Sequence, residues 1–144
     1  MSKPFGNLLS RPARRRTHRP PPGTPPGTIS PDPAALPPLV RVLAYGPGGF
    51  VEETLTDLNR LATMRATWPV VWVDVTGLGD AALLQHLGEI FQLHPLALED
   101  AASVHQRAKV ELYEHHLFFV ARLLERGADR LESAQLSLFL GTGF

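Results

Sequence analysis

No cysteine occurs among the 144 residues, which excludes disulfides and thiolate metal sites. No apolar run approaches the roughly 20 residues needed to span a bilayer. The N-terminal arginines are not followed by the apolar stretch of a secretory signal. The sequence therefore reads as soluble, and the lack of cysteine fits a reducing compartment without requiring one. Net charge is absent as well, since 14 Lys and Arg balance 14 Asp and Glu. There is no GxSxG, no P-loop and no GxGxxG. Gly46-Pro47-Gly48-Gly49 is glycine-rich but precedes a strand-like run rather than a helix, so it is not expected to cradle phosphate. Nothing here carries the signature of an enzyme.

What is present is unevenly spread. Residues 1–38 hold eleven of the fourteen prolines, six of the fourteen basic residues and one acid, Asp32. Residues 39–144 carry eight basic and thirteen acidic side chains, so a net of +5 in the tail faces −5 in the body. Proline removes backbone donors and drives its neighbours extended, so 1–38 is expected to be a disordered Pro/Arg-rich tail. Its Arg11–Arg19 cluster offers a salt-sensitive contact to nucleic acid or anionic lipid, with a solvated basic tail as the plainer reading. No specific nucleic acid is implied.

The body, 39–144, alternates element types. Leu39–Tyr45 and Phe50–Leu55 read as a hairpin, and Thr56 or Asp57 can cap a helix to about Thr67 with Leu58, Leu61 and Ala62 on one face. Val70–Val75 is near-continuously apolar, the pattern of a strand buried on both faces. Asp80 is placed to cap an amphipathic helix, Ala81–Phe91, and Pro95 suits the first position of a shorter one reaching about Ser103. Strands follow at Lys109–Glu114, His116–Leu124 and Leu131–Leu140, with a turn at Gly127–Asp129 and another at Gly141–Phe144. The expected fold is α/β (α+β), a mixed sheet packed against helices.

The chemistry-bearing residues cluster between positions 94 and 116. Glu99 and Asp100 are neighbours on one helix, so their side chains diverge by roughly 100° and cannot both reach one ion from a single chain. They suit two sites, or one site completed by another segment, and their oxygens suit hard cations such as Mg²⁺. His94, His105, His115 and His116 invite a zinc reading, but none has the i, i+4 spacing of a helical zinc motif. His94 is placed to cap or pack, and His115 and His116 should face opposite sides of a strand. Gln106, Arg107 and Lys109 form either a loop that positions the acidic helix or a solvated linker.

The joint pattern His94-Pro95, Leu98-Glu99-Asp100, His105-Gln106-Arg107 and Lys109-Val110-Glu111, followed by an apolar strand, resembles the CorA family of magnesium and cobalt transporters. Trp72–Leu78 and Leu131–Ser137 resemble flanking strands of that family's cytosolic domain, so the likeness spans roughly 39–144. The resemblance implies a mixed sheet sandwiched between two groups of helices, in a pentamer below a membrane pore. It implies that Glu99 and Asp100 bind regulatory Mg²⁺ or Co²⁺ between neighbouring subunits at the cytoplasmic face of the membrane. Occupied sites would then favour the closed pore. A ZntB-like zinc transporter shares these features and would make Zn²⁺ the ion. Ala108 departs from the family's His-Gln-Arg-Pro. The stalk, the two membrane helices and the Gly-Met-Asn pore signature are not in this sequence. The domain is thus expected to be incomplete at its C-terminus and unable to conduct ions alone.

Overall fold

The computed structural model describes residues 21–126 and 131–144. The Arg11–Arg19 cluster and the expected turn at Gly127–Asp129 lie outside them. Strands β1 (Leu39–Gly46) and β2 (Gly49–Leu55) form the expected hairpin, with Gly46 opposite Gly49. Helix α1 (Asn59–Thr67) then crosses to β3 (Val70–Thr76), which runs antiparallel along the other edge of β1. Helices α2 (Ala81–Phe91) and α3 (Pro95–Ala102) lead to a second antiparallel sheet, β4 (Lys109–Leu112), β5 (His116–Arg126) and β6 (Leu131–Gly141). The α+β class is the one expected. The strands divide into two three-stranded sheets, ordered β2-β1-β3 and β4-β5-β6, with the helices α2 and α3 between them in sequence.

The first core follows from strand alternation. Val40, Val42 and Ala44 point to one face of β1, where they meet Leu61 and Met64 of α1 and Leu87 and Phe91 of α2. Two expectations change here. Helix α1 begins at Asn59, with Leu58 already at helical angles (φ −69°, ψ −19°) and Asp57 Oδ1 accepting the Asn59 N–H at 3.0 Å just before it. Its buried face uses Leu61 and Met64, three residues apart, while Ala62 is exposed. Nor is β3 buried on both faces. Val71 is in the core, but Trp72 is 55% exposed and Asp74 pairs with Arg41 across the ladder at 3.4 Å. β3 is an edge strand with β1 as its ladder partner, and among the described residues no second layer covers its outer face.

The second core is smaller. Ala97 and Ala101 of α3 sit against Phe118 and Val120 of β5, and the small alanines bring the helix close to the sheet. Gly88 lets α2 approach α3 closely in turn, because a Cβ there would collide with Leu98 Cδ1. The other face of this sheet is apolar, and no described residue packs a second layer over it. Val110, Leu112, Leu117, Phe119, Leu136 and Leu140 are all at least partly exposed there, in register with one another. The turn after β6 ties the two halves together: the Val71 N–H donates to Gly143 O at 2.8 Å. The Phe144 ring packs 4.9 Å from that of Phe91, with the Arg65 guanidinium over both.

Residues 21–38 form turns but no helix or strand, as the proline content requires. The segment is nonetheless anchored. The Gly79 N–H donates to Leu36 O at 3.0 Å. Gly77, at φ +88°, lets the Pro37 carbonyl lie directly against its Cα. Among the described residues no helix is long and apolar enough to cross a membrane.

Candidate functional site

The His-Pro pair starts the acidic helix as its composition suggests. Pro95 occupies the first turn, where its missing N–H costs nothing. His94 caps the helix, its Nδ1 accepting the Leu96 N–H at 3.2 Å. The His94 ring also stacks on Tyr113, with centroids 4.6 Å apart. His94 is therefore committed to structure on both counts.

Glu99 and Asp100 diverge into two different environments, as successive helical positions must. Glu99 turns toward the proline-rich segment, where its Oε2 accepts the Gly27 N–H at 2.6 Å. Asp100 turns toward the second sheet. Its Oδ1 accepts Gln106 Nε2 at 2.8 Å and its Oδ2 accepts Lys109 Nζ at 2.5 Å. Lys109 also reaches Glu111 Oε1 at 2.8 Å, because residues two apart on β4 share a face. Its ammonium lies 5.5 Å from the Phe118 ring centroid. Tyr113 completes the chain of contacts by donating to Glu111 Oε2 at 3.0 Å.

The segment around Gln106 is thus a positioning element rather than a solvated linker. The Gln106 backbone N–H donates to Gln135 Oε1 at 2.9 Å, and Gln135 Nε2 donates in turn to the Asp100 carbonyl at 3.4 Å. Arg107 is exposed and outside this network. The electrostatics follow the geometry. The hydrogen bond from Lys109, assisted by Tyr113, outweighs desolvation and lowers the Glu111 carboxyl pKa. Burial alone would depress Lys109, but its hydrogen bonds to Asp100 and Glu111 outweigh that and raise it. Burial, then the bond to Glu111, raises the Tyr113 phenol.

The four histidines do not converge. His105 is exposed at the mouth of a shallow cleft that Ser30, Asp32, Glu99, Asp100 and Ser103 also line. His115 is exposed and His116 is buried, on opposite sides of the strand start as expected. Among the described residues no group of three His, Asp or Glu side chains is placed to hold a metal ion. The oxygen-rich cleft has donors that suit a hard cation, but both Asp100 oxygens are already engaged. Coordination within one chain would have to share those oxygens with Lys109 and Gln106 or displace them.

Three participants were not singled out from the sequence: Gln135, Tyr113 and Gly27. A polar residue at the sheet-facing register of β6 was the available signal for Gln135. Nothing local in the sequence marks Gly27, since its partner lies 72 positions away.

No family model matches the chain. It is 36% identical over 103 residues, 70% of its length, to the cobalt/magnesium transport protein CorA of Thermotoga maritima. It is also 36% identical over 75 residues, 51% of its length, to the Bacillus subtilis protein named "Putative metal ion transporter YfjQ". These matches take in 29% and 22% of the two proteins, so the chain spans less than a third of the curated relatives it matches. The chain is related in sequence to CorA-type transport proteins, and neither relative is named as an enzyme.

Proposed function

We propose that this chain is the cytosolic, divalent-cation-sensing domain of a CorA-like Mg²⁺/Co²⁺ transporter. Its sequence relation to the cobalt/magnesium transport protein CorA over 103 residues carries the reading. The splayed carboxylates of Glu99 and Asp100 support it, because two acids that face different neighbours suit ligands shared between subunits. Mg²⁺ or Co²⁺ would supply charge that offsets repulsion between acidic subunit faces. Zn²⁺, as in a ZntB-like protein, is the weaker choice, since the histidines are dispersed and His105 alone of them lines the cleft, among more numerous oxygen-bearing side chains.

In this reading the chain's own residues set the resting state. Lys109 holds the Asp100 carboxylate against β4 and keeps it neutralised. Gln106 and Gln135 fix the Asp100 backbone and side chain relative to the second sheet. A homo-oligomer is the proposed partner, with the uncovered apolar face of β4-β5-β6 available for a further helical layer.

Sedimentation velocity of the chain with and without Mg²⁺ tests the proposal. Mg²⁺ should shift the wild-type chain to larger species, and Asp100→Ala should abolish the shift while circular dichroism is unchanged. An identical response of wild type and Asp100→Ala would remove Asp100 from the site.

A further inference from the structure

The proline-rich segment is not a bystander to the acidic helix. Contacts toward both of its ends hold it. At one end the Leu36 carbonyl accepts the Gly79 N–H, and the Leu36 and Pro37 carbonyls rest on Gly77 and Gly79, where no Cβ would fit. At the other end the Gly27 N–H meets Glu99 Oε2 at 2.6 Å, a short bond of the charge-assisted kind. Gly27 is in the left-handed region at φ +83°, and a Cβ there would stand 2.9 Å from Pro95 Cβ. This backbone therefore approaches the start of α3 as only glycine can. Between the anchors, Asp32 accepts the Ala34 N–H at 2.9 Å and organises a turn beside the same cleft.

We infer that Gly27–Asp32 is a strap that occupies Glu99 in competition with a divalent cation, so that strap docking and cation binding are alternative states of one carboxylate. The inference rests on the cation reading of Glu99 given above. A hard cation held by Glu99 keeps several waters around it, and the strap backbone that donates the Gly27 N–H to Oε2 stands where those waters would lie. The Leu36 anchor keeps the strap close after release, which makes its return an intramolecular event at high effective concentration. The coupling is reciprocal: whatever weakens the strap strengthens cation binding by the same factor.

Amide hydrogen exchange across residues 24–30 of the full chain, followed by NMR, tests this. Glu99→Ala and Gly27→Ala should each speed exchange there by about tenfold, the equilibrium worth of one such bond or of an L side chain in the left-handed region. Helix content should stay unchanged, since alanine is helix-favouring at 99 and Gly27 lies outside every helix and strand. Adding Mg²⁺ should release the wild-type strap to the same extent, and Gly27→Ala should bind Mg²⁺ about tenfold more tightly. Unchanged exchange in Glu99→Ala overturns the strap itself. If Mg²⁺ perturbs the α3 amides while strap exchange stays fixed, the competition is wrong and the cation reading survives. If Mg²⁺ perturbs α3 in neither wild type nor Gly27→Ala, both fall together.

Discussion

Lys109 Nζ lies 2.5 Å from Asp100 Oδ2 and 2.8 Å from Glu111 Oε1, so one partly buried ammonium joins the acidic helix to the second sheet. Each side chain of the Lys109–Asp100 pair is about a quarter exposed, between the limits for surface and buried pairs. Asp100→Ala should therefore cost about 1–2 kcal/mol. Chemical denaturation at neutral pH measures this. A cost near zero would mean that Glu111 alone satisfies Lys109.

The same network sets a pH dependence at both ends. The Glu111 pKa is lowered in the fold, so its contribution is present above its unfolded value and lost as pH falls through the folded one. The Lys109 pKa is raised, so its contribution is complete below its unfolded value of 10.5 and lost as pH rises through the folded one. Lys109→Met should flatten both slopes. Thermal melts across acid and alkaline pH provide the check, and slopes unchanged in the variant would place their origin elsewhere.

His116 behaves differently. It is 4% exposed, stacked on Tyr113 at 5.1 Å and near Phe139 at 5.6 Å, with no hydrogen-bond partner on either ring nitrogen among the described residues. Desolvation, then the nearby His94 and His115, lowers its pKa from 6.5. The unfolded chain therefore takes up a proton first, and stability should decline as pH drops below 6.5 toward the folded value. His116→Phe should remove this decline and be neutral or stabilising at pH 7, because it eliminates an unsatisfied buried polar group. A melting temperature that falls equally with pH in both proteins would contradict the assignment.

Phe118 and Phe119 are consecutive but face opposite sides of β5. Phe118 is fully buried against α3, so Phe118→Ala should cost about 3–5 kcal/mol. Phe119 lies on the uncovered face at 39% exposure, so Phe119→Ala should cost well under half as much, about 1 kcal/mol. Equal costs would mean that a further layer covers that face in solution.

Gly77 holds φ +88° beneath the Pro37 carbonyl, and the obstruction is backbone rather than a flexible side-chain end. Gly77→Ala should destabilise by about 1–2 kcal/mol from the left-handed conformation alone, and it should loosen the 32–38 segment. Limited proteolysis of that segment is the readout, and unchanged cleavage would show that the anchor does not depend on this approach.

Local chemistry made most of the elements legible. Pro95 and Asp80 announced the starts of α3 and α2, and the apolar spacing of Ala81–Phe91 announced the buried face of α2. The hairpin at Gly46–Gly49 followed from its Gly-Pro turn signal, and the opposed faces of His115 and His116 from period-two alternation. These features depend on residues within one or two turns of each other, and the 100° step between Glu99 and Asp100 already required separate partners for them. Tertiary structure alone decided what those partners are. The amide of Gly27 and the ammonium of Lys109 reach the two acids across 72 and nine positions, through contacts that no periodicity encodes. It likewise decided that β3 is covered on one face only, because an apolar run such as Val70–Val75 records that burial is possible, while whether a second layer reaches a strand depends on where the rest of the chain packs.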